Sequence, residues 1–143
     1  MLEHIDDDER ALGHIFRVLK PGGIAHIEVP ADPALYDIYD EYLMHHRRYR
    51  LSELLALAKR IGFTVERATH LGISVYPAFW FIKKNNRRKL GLKTEEKARL
   101  AVEQLRATKA SWLFAVAMRA ETFVGRHIQY PFGVRCVAVL SKM

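Results

Sequence analysis

At 143 residues, half of them apolar, the chain is long enough for one domain with a real core. Its single cysteine, Cys136, excludes an internal disulfide, suits a reducing compartment, and reads as a small core residue in an apolar run. The net charge of +7 is local: between Lys83 and Lys109 ten Lys or Arg meet three Glu, while the other residues hold 13 of each sign. No charged leader followed by an apolar core opens the chain, so a cytoplasmic location is expected.

The acidic run Asp6, Asp7, Asp8 and Glu9 marks a helix start, where carboxylates meet unpaired N–H groups and the positive end of the dipole. Asp6 or Asp7 is the expected N-cap. Ala11, Leu12, Ile15, Phe16 and Leu19 then recur at spacings of three and four, one apolar stripe on a helix of about four turns. Lys20 suits the negative end of that helix, and Pro21-Gly22-Gly23 stops it. Ile24 to Val29 reads as a strand closed by Pro30. From Pro30 to Arg50 the chain is rich in Asp, Tyr, His and Arg, and it leaves the carboxyl end of that strand. In an open α/β sheet ligands sit beyond such ends, so this segment is the expected substrate lid.

Ser52 is the expected cap of a helix over Glu53 to Ile61, with Leu54, Leu55, Leu57, Ala58 and Ile61 inward and Gly62 ending it. Phe63 to Leu71 reads as a strand. The apolar stretch Leu71 to Ile82 is 12 residues, too short to span a bilayer, and it runs into Lys83-Lys84-Asn85-Asn86-Arg87-Arg88-Lys89. Thr94 is the expected cap of a further helix with a thin stripe of Ala98, Ala101, Val102 and Leu105. A more apolar helix is expected from Ser111 to Val124, stopped by Gly125. Tyr130-Pro131-Phe132-Gly133 and the run Val134 to Leu140 then form a turn and a buried final strand.

Met1-Leu2-Glu3-His4-Ile5 with the acidic helix start, and Val18-Leu19-Lys20-Pro21-Gly22-Gly23, together resemble the second half of the class I S-adenosylmethionine-dependent methyltransferases. The branch most similar is that of the ubiquinone-biosynthesis methyltransferases. The run His45-His46-Arg47-Arg48-Tyr49, the order helix, Gly-Phe and strand, and the Pro-Phe-Gly turn resemble that branch too. The resemblance implies an α/β fold: the C-terminal half of a Rossmann-like sheet, from the end of the fourth strand to the seventh. Residues 1–143 would form a single partial domain, with 76–126 a helical, basic insertion before the last strand. It further implies S-adenosyl-L-methionine as cofactor, flanked by Leu2, Glu3 and His4, and a small-molecule or lipid- or glycan-linked acceptor.

Methyl transfer from a sulfonium is an in-line displacement, so the protein mainly brings donor and acceptor together in a dry site. A general base is wanted where a hydroxyl acceptor must lose its proton, and histidine suits that task. His45 and His46 are therefore the candidate catalytic residues, with Arg48 and Tyr49 to bind an anionic or carbonyl group on the substrate. No metal site is expected: adjacent histidines do not easily converge on one ion, and His45, His46, Asp40 and Glu41 show no known ligand spacing. His26 and Glu28, on one face of the strand, read as a polar pair.

Residues 79–89 join aromatic residues to a cationic cluster, which suits a peripheral contact with an anionic membrane. Nucleic acid is disfavoured, because the aromatics form one block instead of alternating with the basic residues. The glycines fall at 13, 22, 23, 62, 72, 91, 125 and 133, so no Gly-x-Gly turn precedes the first helix. The chain is thus expected to be a truncated fragment, inactive by itself unless a complementary N-terminal half joins it, with the strand 24–29 left as an unpaired edge. The rival expectation is a non-catalytic module that binds a membrane or a partner through its cationic segment.

Overall fold

The computed structural model describes residues 1–92, 94–109 and 112–143; at 94, 104–109, 113 and 114 it describes the backbone alone. A 3-10 turn, Leu2–His4, leads into helix α1, Asp8–Val18. Asp7 caps α1, its carboxylate accepting from the Arg10 N–H at 2.9 Å, as the acidic run predicts. The turn at Pro21-Gly22 follows, its Gly22 N–H donating to the Lys142 carbonyl at 2.7 Å. Strand β1, Ile24–Pro30, comes next.

The lid segment is more ordered than its polarity suggests. It holds a 3-10 turn, Pro33–Leu35, and a five-residue helix α2, Ile38–Tyr42. A capping box makes so short a helix viable: the Asp37 carboxylate accepts from the Tyr39 N–H, and Asp40 reaches back to the Asp37 N–H. Helix α3 spans Leu51–Ile61, and its N-cap is Arg50 without a side-chain cap bond, not Ser52. The chain arrives at α3 in extended form, with Tyr49 bridged to Ala31, so the helix begins two residues earlier, at Leu51, and Ser52 lies in its first turn. Gly62 ends α3 with φ +113°, a conformation a side chain would strain.

Strand β2 is Thr64–Leu71, and α4 (Tyr76–Arg87), α5 (Thr94–Lys109) and α6 (Trp112–Val124) form the insertion before β3, Arg135–Ser141. The cap role expected of Thr94, the Leu105 side chain and a helix start at Ser111 lie outside the described residues and side chains. Gly133 enters β3 where an added Cβ would strike the Leu71 carbonyl, so the close approach of the two chains there needs glycine.

Among the described residues the sheet has three strands in the order β1-β3-β2. β3 runs antiparallel to both neighbours, with Ala138 opposite Ile27 on one side and Ala68 on the other. β1 and β2 are therefore parallel to each other, with their carboxyl ends on the same side. The central strand is apolar on both faces, with Cys136, Val137, Ala138 and Leu140 buried, as befits a strand flanked by others. β1 alternates: Ala25, Ile27 and Val29 are buried, while His26 and Glu28 point to solvent and Glu28 pairs with Arg135. Among the described residues β1 has one neighbour and lies at the edge of the sheet. Leu12 of α1 and Leu54, Leu57 and Ala58 of α3 cover the face made by Ala25, Ile27, Val29, Ala138 and Leu140, and this is the core. No helix among the described residues is long and apolar enough to cross a membrane.

Candidate functional site

Three stretches distant in sequence meet beyond the carboxyl end of β1: the first turn, the lid and the start of α4. The lid is stitched to the first turn by the His46 N–H, which donates to the Glu3 carbonyl at 2.7 Å. The Arg47 guanidinium adds bonds to the Asp6 carbonyl at 2.6 Å and to Asp8 at 3.3 Å. His46 itself lies with Nδ1 2.9 Å from the Asp6 carboxylate, its side chain half exposed. Tyr49 is buried, and its hydroxyl donates to Asp8 at 2.9 Å; burial and the Asp8 carboxylate push its pKa well above the ordinary phenol value.

This stitching brings His4 and His45 together, with ring centroids 4.8 Å apart and edge to face. The Glu3 carboxylate stands beside them, one oxygen 3.8 Å from His4 Nε2 and the other accepting from the chain's amino terminus at 2.5 Å. Burial alone would raise the Glu3 pKa, but the amino terminus hydrogen-bonded to it holds the value below the usual range. One ligand-type atom from each of Glu3, His4 and His45 lies within 4.8 Å of the others, so these three can hold a metal ion.

Each ring is fixed through its Nδ1. In His4 that atom is 3.1 Å from the Met44 carbonyl, and in His45 it is 2.9 Å from the Asp40 carboxylate. A carbonyl only accepts, so His4 carries its proton on Nδ1, and the lone pair falls to Nε2. Met44 presents its carbonyl from a left-handed conformation, φ +56°, and Asp32, just past β1, has φ +61°. Such backbone is uncommon outside glycine, and here both instances flank the place where the lid turns.

Behind His45 lies a buried charge cluster. Asp40 is fully buried and pairs with Arg48 Nε at 2.9 Å and Lys83 Nζ at 3.1 Å. Lys83 also donates to Asp37 at 2.5 Å, and Asn86 donates to the other Asp37 oxygen at 3.1 Å. Two carboxylates and two cations balance, and the second hydrogen bond of Arg48 goes to the Ala31 carbonyl at 2.9 Å. For Asp40, burial would raise the pKa, but the Arg48 and Lys83 charges and the His45 bond outweigh it and bring it to about 2. Lys83 shifts downward, because burial and the Arg48 charge outweigh its two carboxylate partners.

Arg48 and Tyr49 are thus buried and bonded within the protein: Arg48 supports His45 through Asp40, and Tyr49 ties the lid to Asp8. Lys83 departs from the cationic segment in the same way. It is 3% exposed and faces inward, so the surface charge of residues 79–89 rests on Lys84, Arg87, Arg88 and Lys89. The Asp37/Asp40/Lys83/Asn86 cluster went unseen in the sequence, although two signals were present. Asp37 and Asp40 have capping-box spacing, and Phe79, Lys83 and Asn86 share one helix face at spacings of four and three.

A second buried acid pins the insertion. Glu121 of α6 accepts from the Gly72, Ile73 and Ser74 N–H groups and from the Ser74 hydroxyl, closing the loop after β2. Burial raises its pKa, but these hydrogen bonds outweigh burial and lower it. Beside this loop a small cavity of about 170 Å³ is lined by Asp32, Tyr49, His70, Tyr76 and Phe132, with the Tyr76 hydroxyl donating to Asp32 at 2.8 Å.

No family model matches the sequence, nor does any curated protein. Among solved structures, Haemonchus contortus phosphoethanolamine N-methyltransferase 2 in complex with S-adenosyl-L-methionine is similar with a TM-score of 0.50 at 15% identity. The match covers 99% of this chain and 31% of that one. The fold is that of part of a methyltransferase. A structure of the same enzyme with phosphomonomethylethanolamine and S-adenosylhomocysteine gives a TM-score of 0.45 at 18% identity over the same shares. The chain thus spans about a third of the length of the methyltransferases it matches. Within this partial methyltransferase fold, α4 to α6 form the insertion expected before the last strand.

Proposed function

We propose that the chain forms the acceptor-side part of a class I S-adenosyl-L-methionine-dependent methyltransferase site and serves methyl transfer to a small-molecule or lipid- or glycan-linked acceptor. The observation that carries this reading is the Asp40–His45–His4 arrangement at the carboxyl end of β1. A buried carboxylate on Nδ1 of His45 leaves Nε2 as its basic nitrogen, the arrangement a general base needs to take a proton from a hydroxyl acceptor. Leu2, Glu3 and His4 flank the cofactor in this reading. His46 lies at the lid's outer edge as the secondary candidate, and Arg48 and Tyr49 position the lid. The ubiquinone-biosynthesis branch rests on sequence motifs alone: those at 1–5, 18–23 and 45–49, the Gly62-Phe63 step into the strand, and the Pro131-Phe132-Gly133 turn.

The Gly-rich cofactor turn, which these residues do not contain, is assigned to a complementary N-terminal half, so the chain alone should bind cofactor weakly and turn nothing over. The test is isotope-edited NMR of the folded chain titrated with S-adenosylhomocysteine. Shift changes confined to residues 1–5 and the adjoining lid are expected. No change at millimolar ligand, or changes elsewhere, would overturn the assignment.

The second reading is a peripheral membrane module in the cytoplasm. It is favoured by α4, where Trp80, Phe81 and Ile82 are 40%, 70% and 47% exposed beside the exposed Lys84, Arg87 and Arg88, with Lys84 Nζ 4.6 Å from the Trp80 ring. Co-sedimentation with anionic vesicles tests it. Binding should be lost when Lys84, Arg87, Arg88 and Lys89 become Ser, and retention by that variant would refute it. Lys83 is left in place because it belongs to the buried cluster.

A further inference from the structure

We propose that the cavity at the carboxyl ends of β1 and β2 binds a small primary ammonium, with Asp32 as its counter-ion and the rings of Tyr76 and Phe132 as its walls. The inference goes beyond the methyl-transfer reading and stands without it. At about 170 Å³ the cavity has room for about five or six non-hydrogen atoms, taking the share of liquid volume of one water, about 30 Å³, for each.

The polar groups on its wall select the charge. Asp32 stands in a left-handed conformation, φ +61°, that few side chains adopt, and Asp is among those that do. The conformation is held from both sides: the Asp32 N–H donates to the Tyr49 carbonyl at 3.0 Å, and its carboxylate accepts from the Ala34 N–H at 3.0 Å. The other carboxylate oxygen accepts from the Tyr76 hydroxyl at 2.8 Å. Burial and then Asp32 push the Tyr76 pKa up to about 12, so that hydroxyl stays a donor. An ionised carboxylate offers about four acceptor positions, and these two bonds leave capacity for a further donor.

His70 adds a second acceptor. Its Nδ1 lies 3.1 Å from the Tyr130 carbonyl, which only accepts, so the proton sits on Nδ1 and Nε2 keeps its lone pair. The donors nearby are spent. The Tyr49 hydroxyl is turned to Asp8 at 2.9 Å, and the guanidinium of Arg50, which also borders the cavity, donates to Glu53 at 2.9 Å with both side chains exposed. The rest of the wall is aromatic. Tyr76 and Phe132 meet edge to face, centroids 5.2 Å apart and planes at 66°, and a cation is drawn to ring faces. Two acceptors, one of them charged, and a corner of two rings suit a positively charged donor, and a primary ammonium carries three N–H groups to meet them.

The test is isotope-edited NMR of the full chain without cofactor, titrated with n-butylammonium chloride at constant ionic strength, with n-butanol as the neutral counterpart. Saturable shift changes at residues 31–32, 49–51, 70 and 132–133 are expected with the amine, and at least tenfold weaker binding with the alcohol. Asp32→Asn keeps a side chain suited to the left-handed backbone and should weaken amine binding by more than about tenfold. Phe132→Leu keeps an apolar wall without the ring face and should weaken it about two- to fivefold. Three results would overturn the proposal: no saturable change in the folded wild type, equal binding of amine and alcohol, or unchanged affinity in folded Asp32→Asn. Should Asp32→Asn fail to fold, the amine and alcohol comparison on the wild type decides together with Phe132→Leu, whose unchanged affinity would then count against the site. Loss of S-adenosylhomocysteine binding leaves these outcomes untouched, so failure of the methyl-transfer reading is seen separately.

Discussion

Under α1 and α3, Leu12, Leu54, Ala58, Ile27 and Leu140 meet in an apolar core, whereas α4 enters the fold through Lys83 and Asn86 and α6 through Glu121. Among the described residues of 76–126, Ala101 is the one buried apolar side chain, while Trp80, Phe81, Trp112, Val116 and Phe123 are exposed. The two regions are fastened by different physics. Apolar burial is non-directional and tolerates exchange of one hydrocarbon for another of similar volume. A buried ion cluster gains little over an apolar contact when complete, but removing one member leaves a charge uncompensated. The insertion is therefore placed specifically and weakly, the sheet broadly and firmly.

The sharpest way to break that contrast is Lys83→Ala. It strands Asp37 and part of the Asp40 charge, and should cost about 3–5 kcal/mol of local stability. Hydrogen exchange should accelerate in α4 and α2 and leave β3 amides protected. Equal loss of protection in β3 would show that insertion and sheet form one cooperative unit. Leu54→Ala, in the core, should cost about 2–5 kcal/mol, read as a lower urea midpoint with exchange accelerated across the whole sheet.

Acid sharpens the same comparison. Asp40 has a folded pKa of about 2, below its unfolded value of about 3.9. A depressed carboxylate contributes stability that is complete above the unfolded value and lost as pH falls through the folded one. Stability should drop on the order of 2 kcal/mol between about pH 4 and pH 2, and Asp40→Asn should flatten that part of the curve. The smallest effect belongs to the Lys97–Glu41 pair, 2.8 Å long and joining α5 to α2 near the surface. Lys97→Ala should change the urea midpoint by less than about 1 kcal/mol equivalent, and a larger change would mean that surface pairs matter to the insertion.

Much of the fold was legible because its signals are local. The α1 stripe, the Asp7 cap, the Gly62 stop and the apolar β3 run each specify their element within a few residues. The chemistry was legible by parts: Glu3, His4 and His45 stood out as residues, but their meeting did not, because nothing in a stretch of four or five residues records a contact across 40 positions. The basic run 83–89 misled for a related reason. Read by composition it is uniform, and only the helical period, set against the acids of the lid, turns Lys83 and Asn86 inward.

By itself, then, the sequence determined the main helices and strands, the Asp7 cap and the Gly62 stop, and the resemblance to a methyltransferase half, while α2 and the start of α3 came from the structure. The tertiary structure alone decided that β3 lies between β1 and β2, that Asp40 orients His45, and that His4 faces it. Those are pairings between distant segments, settled by which buried charges must find partners and which strand must be covered on both sides.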